Sequence, residues 1–128
     1  MSYYFSRKVE GNFDEVERRT RGALKEEGFG ILTEIDVKET LKKKLDVEFR
    51  RYKILGACNP PLAFKALLEE DKIGTMLPCN VILQEINPGE VEVAAIDPIA
   101  SMQAVQNPSL GEVANQVRKK LRRVVENL

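Results

Sequence analysis

The sequence has no histidine, only two cysteines and no net charge, its twenty lysines and arginines matching twenty aspartates and glutamates. Without histidine, any side-chain chemistry beyond carboxylates, amines and hydroxyls must pass through Cys58 and Cys79. Tetrahedral zinc takes four Cys or His ligands, or three plus water. One chain here would have to recruit carboxylates or a second subunit, so the sequence assigns no metal and no cofactor. The cancelled charge leaves no overall field to attract nucleic acid or an anionic membrane. No apolar run is long enough to cross a bilayer. The first eight residues place Arg7 and Lys8 after Tyr3, Tyr4 and Phe5, with no hydrophobic stretch behind them, which is the wrong order for a signal peptide. The expectation is a cytoplasmic protein whose two cysteines are free thiols. No Walker loop, dinucleotide fingerprint, nucleophile elbow or zinc-protease motif occurs. Neither Glu85 nor Asp97 has a recognisable partner for acid and base roles, and Asp97 reads as a helix cap.

What is present is ordinary for a globular protein: 43% hydrophobic and 31% charged residues argue against disorder. The 128 residues form one domain, 1–128, without repeats or linkers. Tyr3, Phe5 and Val9 alternate with polar neighbours and predict a first strand. Asn12 with Glu15 forms a capping box for a helix whose inner stripe is Phe13, Val16, Thr20, Ala23 and Leu24, ended by Gly28. A second strand follows from Phe29 to Ile35, with Phe29, Ile31 and Ile35 in phase. Asp36 and Glu39 then open a short helix with Val37, Leu41 and Leu45 on its apolar face. The third strand, Phe49 to Cys58, stops at Pro60, where Asn59 is placed to cap a helix through Leu68. A loop through Gly74 and Pro78 leads into a hairpin, Asn80 to Asn87 and Glu90 to Ile96, turning at Pro88-Gly89. A short helix from Ile99 to Val105 precedes a capping box at Ser109 and Glu112. That box heads a long helix with Leu110, Val113, Val117, Leu121, Val124 and Leu128 on one stripe.

The two cysteines lie in proline-flanked Cys-Asn segments, Cys58-Asn59-Pro60-Pro61 and Pro78-Cys79-Asn80. Cys58 precedes a helix N-terminus, whose dipole stabilises a thiolate. Pro60 and Pro61 weaken that effect by deleting two N–H groups, and they rule against a phosphate cradle at this turn. The plainer reading makes Cys58 a small apolar residue at a strand end and Cys79 a buried strand residue. Whether the thiols meet depends on topology. A parallel crossover would hold them roughly 20 Å apart, whereas antiparallel strands, with the Lys72 to Leu77 segment returning the chain, bring them together. Lys42, Lys43, Lys44, Arg50, Arg51 and Lys53 read as a solvated cationic face. A nucleic-acid accessory role is the weaker reading of those residues.

In this order and spacing, Glu27-Gly28-Phe29-Gly30-Ile31-Leu32, Cys58-Asn59-Pro60, Leu77-Pro78-Cys79, Ile96-Asp97-Pro98 and the Pro108 to Leu128 helix resemble the bacterial and archaeal family called domain of unknown function 302. The resemblance covers nearly the whole chain. It implies a small α+β domain and a dimer, and it supplies no catalytic residues. The residues themselves predict an α+β fold with a mixed, largely antiparallel sheet of about five strands and helices packed on one face. The uncovered face is simplest to cover with a second copy. The expected function is a non-catalytic homodimer binding a small ligand or a protein partner near the Cys58-Asn59 turn and the Gly74 to Cys79 loop. Cys58, Asn59, Gly74, Cys79 and Asn80 are the candidate residues. The alternative is a thiol-dependent enzyme or redox carrier using Cys58 with Cys79. Neither nucleic acid nor membrane is an expected partner.

Overall fold

The computed structural model describes residues 2–128. Five strands, β1 (Tyr4–Glu10), β2 (Gly30–Asp36), β3 (Tyr52–Cys58), β4 (Cys79–Asn87) and β5 (Glu90–Ile96), form one sheet in the order β1-β5-β4-β3-β2. All four pairings are antiparallel. The helices are α1 (Phe13–Glu26), α2 (Val37–Leu45), α3 (Pro60–Glu69), α4 (Pro98–Ser101) and α5 (Leu110–Glu126).

Alternation along the strands aims one set of side chains at the helices. Leu55 and Ala57 of β3, Val81 and Leu83 of β4, and Val91, Val93 and Ala95 of β5 are buried on that face. Against them pack Val16 and Leu24 of α1 with Leu121, Val124 and Val125 of α5. Each large side chain buried this way contributes about 1.5–3 kcal/mol. Asn12 caps α1 by accepting from the Glu15 N–H at 2.8 Å. Gly28, at φ 86°, lets the chain turn out of α1 into β2. The opposite face, carrying Tyr4, Ile35, Tyr52, Ile54, Ile82, Ala94 and Ile96, contributes nothing to either hydrophobic core cluster except partly buried Ile96.

The structure departs from the expected elements in several places, and β3 itself begins at Tyr52 instead of Phe49. A bulge in β2 sets Ile31 opposite Ala57 and Thr33 opposite Gly56, making Leu32 the extra residue. The phase therefore flips, and Ile35 pairs with Ile54 on the outer face instead of pointing inward with Ile31. The apolar residues of α2 are not buried, and Leu45 is 65% exposed, because this helix packs chiefly on β2 and β3 at the sheet edge. The segment from Asp71 to Met76, expected as loop, is a 3₁₀ helix. Helix α4 ends at Ser101, four residues short of Val105. Ser109 does not form a capping box: its backbone is helical, and its N–H and hydroxyl both donate to Asn107 Oδ1. Asn107 takes over because its short side chain can turn the backbone around Pro108, and its Nδ2 also reaches the Glu69 carbonyl at 2.8 Å. The end of α3 is thereby tied to the start of α5.

Candidate functional site

The sheet topology decides where the cysteines meet. Because β3 and β4 are antiparallel, the last residues of β3 lie beside the first of β4, with Ala57 opposite Cys79. Cys58 is one residue further along. Its strand stops there, the chain turns at Asn59, and α3 begins at Pro60. Both residues line one cavity of about 310 Å³ at this end of the sheet. Helix α3 contributes Leu62, Ala63 and Ala66 to it, α5 contributes Leu110, Ala114 and Val117, and Met102 enters just after α4. Among the described residues no charged side chain lines the cavity, and Asn59 is its one amide. The small residues Ala57, Ala63, Ala66 and Ala114 account for the open space, since each leaves unfilled what a leucine would occupy. Half-exposed Leu67 and exposed Leu32, the bulge residue of β2, also belong to the lining, so the cavity opens through an apolar rim.

Asn59 occupies the N-cap position of α3 without capping it. Pro61 has no N–H to offer at the second helical position, and the side chain turns away to donate from Nδ2 to the Glu27 carbonyl at 3.3 Å. The expected cap is thus a brace between the α1–β2 turn and the β3–α3 turn. Gly28 belongs to the same contact: a Cβ there would lie 3.1 Å from Asn59 Nδ2. The Glu27 carboxylate is held by Arg123 of α5, 2.9 Å from Nη2. That pairing lowers the Glu27 pKa, with Lys120 assisting weakly.

Both thiols are free. Burial, together with the neighbouring Cys58, pushes the Cys79 pKa up to about 11, so at neutral pH this residue is a protonated thiol. Of the other candidates, Gly74 is exposed in the 3₁₀ segment, and Asn80 is exposed on the outer face opposite Gly56. Neither lines the cavity. The structure therefore gathers Cys58, Asn59 and Cys79 and leaves Gly74 and Asn80 apart.

Several residues that shape the site carried little signal in the sequence. Gly56 packs so tightly that a Cβ would collide with Thr33 Oγ1 and lie 2.7 Å from Pro78 Cγ. A glycine inside a strand, two residues before Cys58, is the available clue to that close approach. Asp97 does cap α4, accepting from the Ile99 N–H at 3.0 Å, but it is also buried and paired with Arg118 at 3.1 Å. Nothing in the local sequence joins those two positions. Met102 was legible only as part of a helix.

The fold and cavity define a small α+β domain with an antiparallel sheet, helices on one face and an apolar pocket at one end of the sheet. The chain belongs to the family described as domain of unknown function DUF302, whose model matches residues 5–128. It is similar to the crystal structure of an uncharacterized conserved protein DUF302 from Bacillus stearothermophilus, at a TM-score of 0.90 and 28% sequence identity, covering 98% of each chain. No curated protein matches the chain.

Proposed function

We propose that the protein is a non-catalytic, cytoplasmic homodimer that binds a small, mainly apolar ligand in the cavity at Cys58, Asn59 and Cys79. The cavity itself carries this reading: about 310 Å³ of apolar space beside two thiols and one amide has the size and lining of a small-molecule site. Saturable binding of a neutral fluorescent probe such as 1-aminoanthracene tests it. One probe per chain is expected, with binding lost in Ala63→Phe, which fills the cavity from α3 while the fold persists by circular dichroism. Unchanged binding in that variant, or none in the wild type, would overturn the reading.

The dimer is supported by the outer sheet face. Five strands of at least seven residues span about 24 by 23 Å, a footprint of roughly 550 Å² per copy. Two such faces together come to about 1,100 Å², just above the roughly 1,000 Å² that a biological interface should clear. The aliphatic row Ile35, Ile54, Ile82 and Ala94 supplies an apolar centre, and Lys8 and Glu92, in register on the same face, supply opposite charges toward one edge. The absence of a nucleic-acid partner is supported by pairing among the cations. Lys42 meets Asp46 and Glu48, Lys43 meets Glu39, Arg51 meets Asp14, and Lys53 meets Glu17 and Glu34.

One observation favours the thiol-dependent alternative: the two cysteines do share a cavity. Rapid alkylation of Cys58 in the native protein near neutral pH, with loss of function in Cys58→Ser, would move the protein into that class.

A further inference from the structure

Asn59 is only 9% exposed, and its side-chain amide is half used. Its Nδ2 donates to the Glu27 carbonyl, and because a carbonyl can only accept, that bond fixes which end of the amide faces the α1–β2 turn. Oδ1 is left on the other side. Among the described residues no donor reaches it. No side-chain oxygen or nitrogen of those residues is both sealed from solvent and unpaired, so Oδ1 opens onto free space. The space that Asn59 lines is the cavity.

We infer that the cavity selects a neutral, mainly apolar ligand carrying one hydroxyl or N–H group, which donates to Asn59 Oδ1. The inference rests on the cavity being the binding site and names the chemical class that the site takes. A ligand seated against Asn59 strips water from Oδ1, and a buried acceptor left without a donor costs more than a made hydrogen bond returns. A hydroxyl or N–H removes that penalty, whereas a methyl group in its place incurs it. An anion fares worse. Among the described residues no acidic or basic side chain lines the cavity, so a carboxylate would be desolvated without a partner and would face the negative end of the amide. A cation finds no counter-charge there either. The thiols of Cys58 and Cys79 are weak hydrogen-bonding groups, which leaves Asn59 as the strong polar side chain of the lining. Size sets the rest: about 310 Å³ is roughly twice the ~150 Å³ cavity that takes benzene, enough for two fused rings or a chain of similar volume.

The test displaces bound 1-aminoanthracene from the full chain at neutral pH with three ligands of one shape, 2-naphthol, 2-methylnaphthalene and 2-naphthoate. 2-Naphthol is expected to displace the probe, 2-methylnaphthalene to bind about 5–100-fold more weakly because it leaves the acceptor unsatisfied, and 2-naphthoate to bind more weakly still. Asn59→Leu, checked for folding by circular dichroism, should bring 2-naphthol and 2-methylnaphthalene to within about twofold of each other, since the acceptor is gone. A preference for 2-naphthol that survives in the folded variant would overturn the assignment to Asn59. That side chain also braces the Glu27 carbonyl, so if the variant does not fold, the ligand series on the wild type decides. A wild type that binds the probe but takes 2-naphthol and 2-methylnaphthalene equally, or takes 2-naphthoate most tightly, would overturn this inference alone. One that binds neither the probe nor any of the three ligands would overturn both this inference and the cavity reading.

Discussion

Gly56 has no room for a methyl group. Its missing Cβ is where Thr33 Oγ1 sits, with the Pro78 ring 2.7 Å away, so the bulged β2 strand and the start of β4 both close on β3 at this point. Gly56→Ala is expected to lose about 1–3 kcal/mol of stability through overpacking. Adding Thr33→Ala should recover only part, because the proline contact remains; chemical denaturation reads both. Cys79 makes a second prediction. Its folded pKa is raised to about 11 from 9.0, so the folded state holds its proton more tightly than the unfolded chain. The stabilisation is fully present below the unfolded value and is lost as pH rises through the window from 9.0 to about 11. A shift of that size corresponds to about 2–3 kcal/mol. Unfolding free energies measured across that window should fall in the wild type and fall less in Cys79→Ala.

Between α1 and the β2–β3 edge, four charges hold three elements together. Lys53 lies 2.9 Å from Glu17 and 2.8 Å from Glu34, and Arg21 lies 2.8 and 2.7 Å from the same two carboxylates. Burial acts to lower the Lys53 pKa, but Glu34 and Glu17 more than offset it and the pKa is raised. Glu34 is held below its usual value by Lys53 and then Arg21. The Glu34 contribution is therefore present above the unfolded carboxylate pKa and lost as pH falls through the lowered folded one. Lys53→Met should cost about 1–3 kcal/mol at neutral pH by leaving two carboxylates to Arg21 alone, and it should flatten the acid limb of the stability profile. The elements themselves were largely legible from sequence. Period-two alternation located five strands, and Asn12 and Asp36 marked two helix starts, because those signals are local. Lys53 could be read only as one cation in a cluster, since its partners Glu17 and Glu34 come from other elements. Ile35 misled for a related reason: a one-residue bulge reverses the facing of everything after it, and alternation cannot reveal the extra residue. The candidate site divided similarly. Cys58 and Cys79 could be proposed from their turn context, but the cavity between them depends on Ala63, Ala66 and Ala114, whose smallness says nothing until the facing elements are known.

At the scale of the whole molecule, one sheet face is packed and the other is not. If a second copy covers the outer face, Ile82→Glu should convert a dimer into a folded monomer by sedimentation or light scattering, since Ile82 sits at the middle of that face and outside the core. A wild type that is monomeric at high concentration would end the dimer proposal. The same sheet has a further consequence, for the order in which the chain can fold during synthesis. Strands β2 to β5 are neighbours in sequence order, so each can pair with the strand made just before it. Strand β1 is made first of the five, but among the described residues it pairs with β5 alone, and Tyr4 must wait for Ile96. Arg7 must wait longer still, for the Glu126 carbonyl at the far end of α5. Strand β1 therefore leaves the ribosome with Phe5 and Val9 still uncovered, and its docking is a late event with a high loop-closure cost. Pulse-labelling hydrogen exchange should protect β3 and β4 before β1, so that the strand made first of the five is the last to become native.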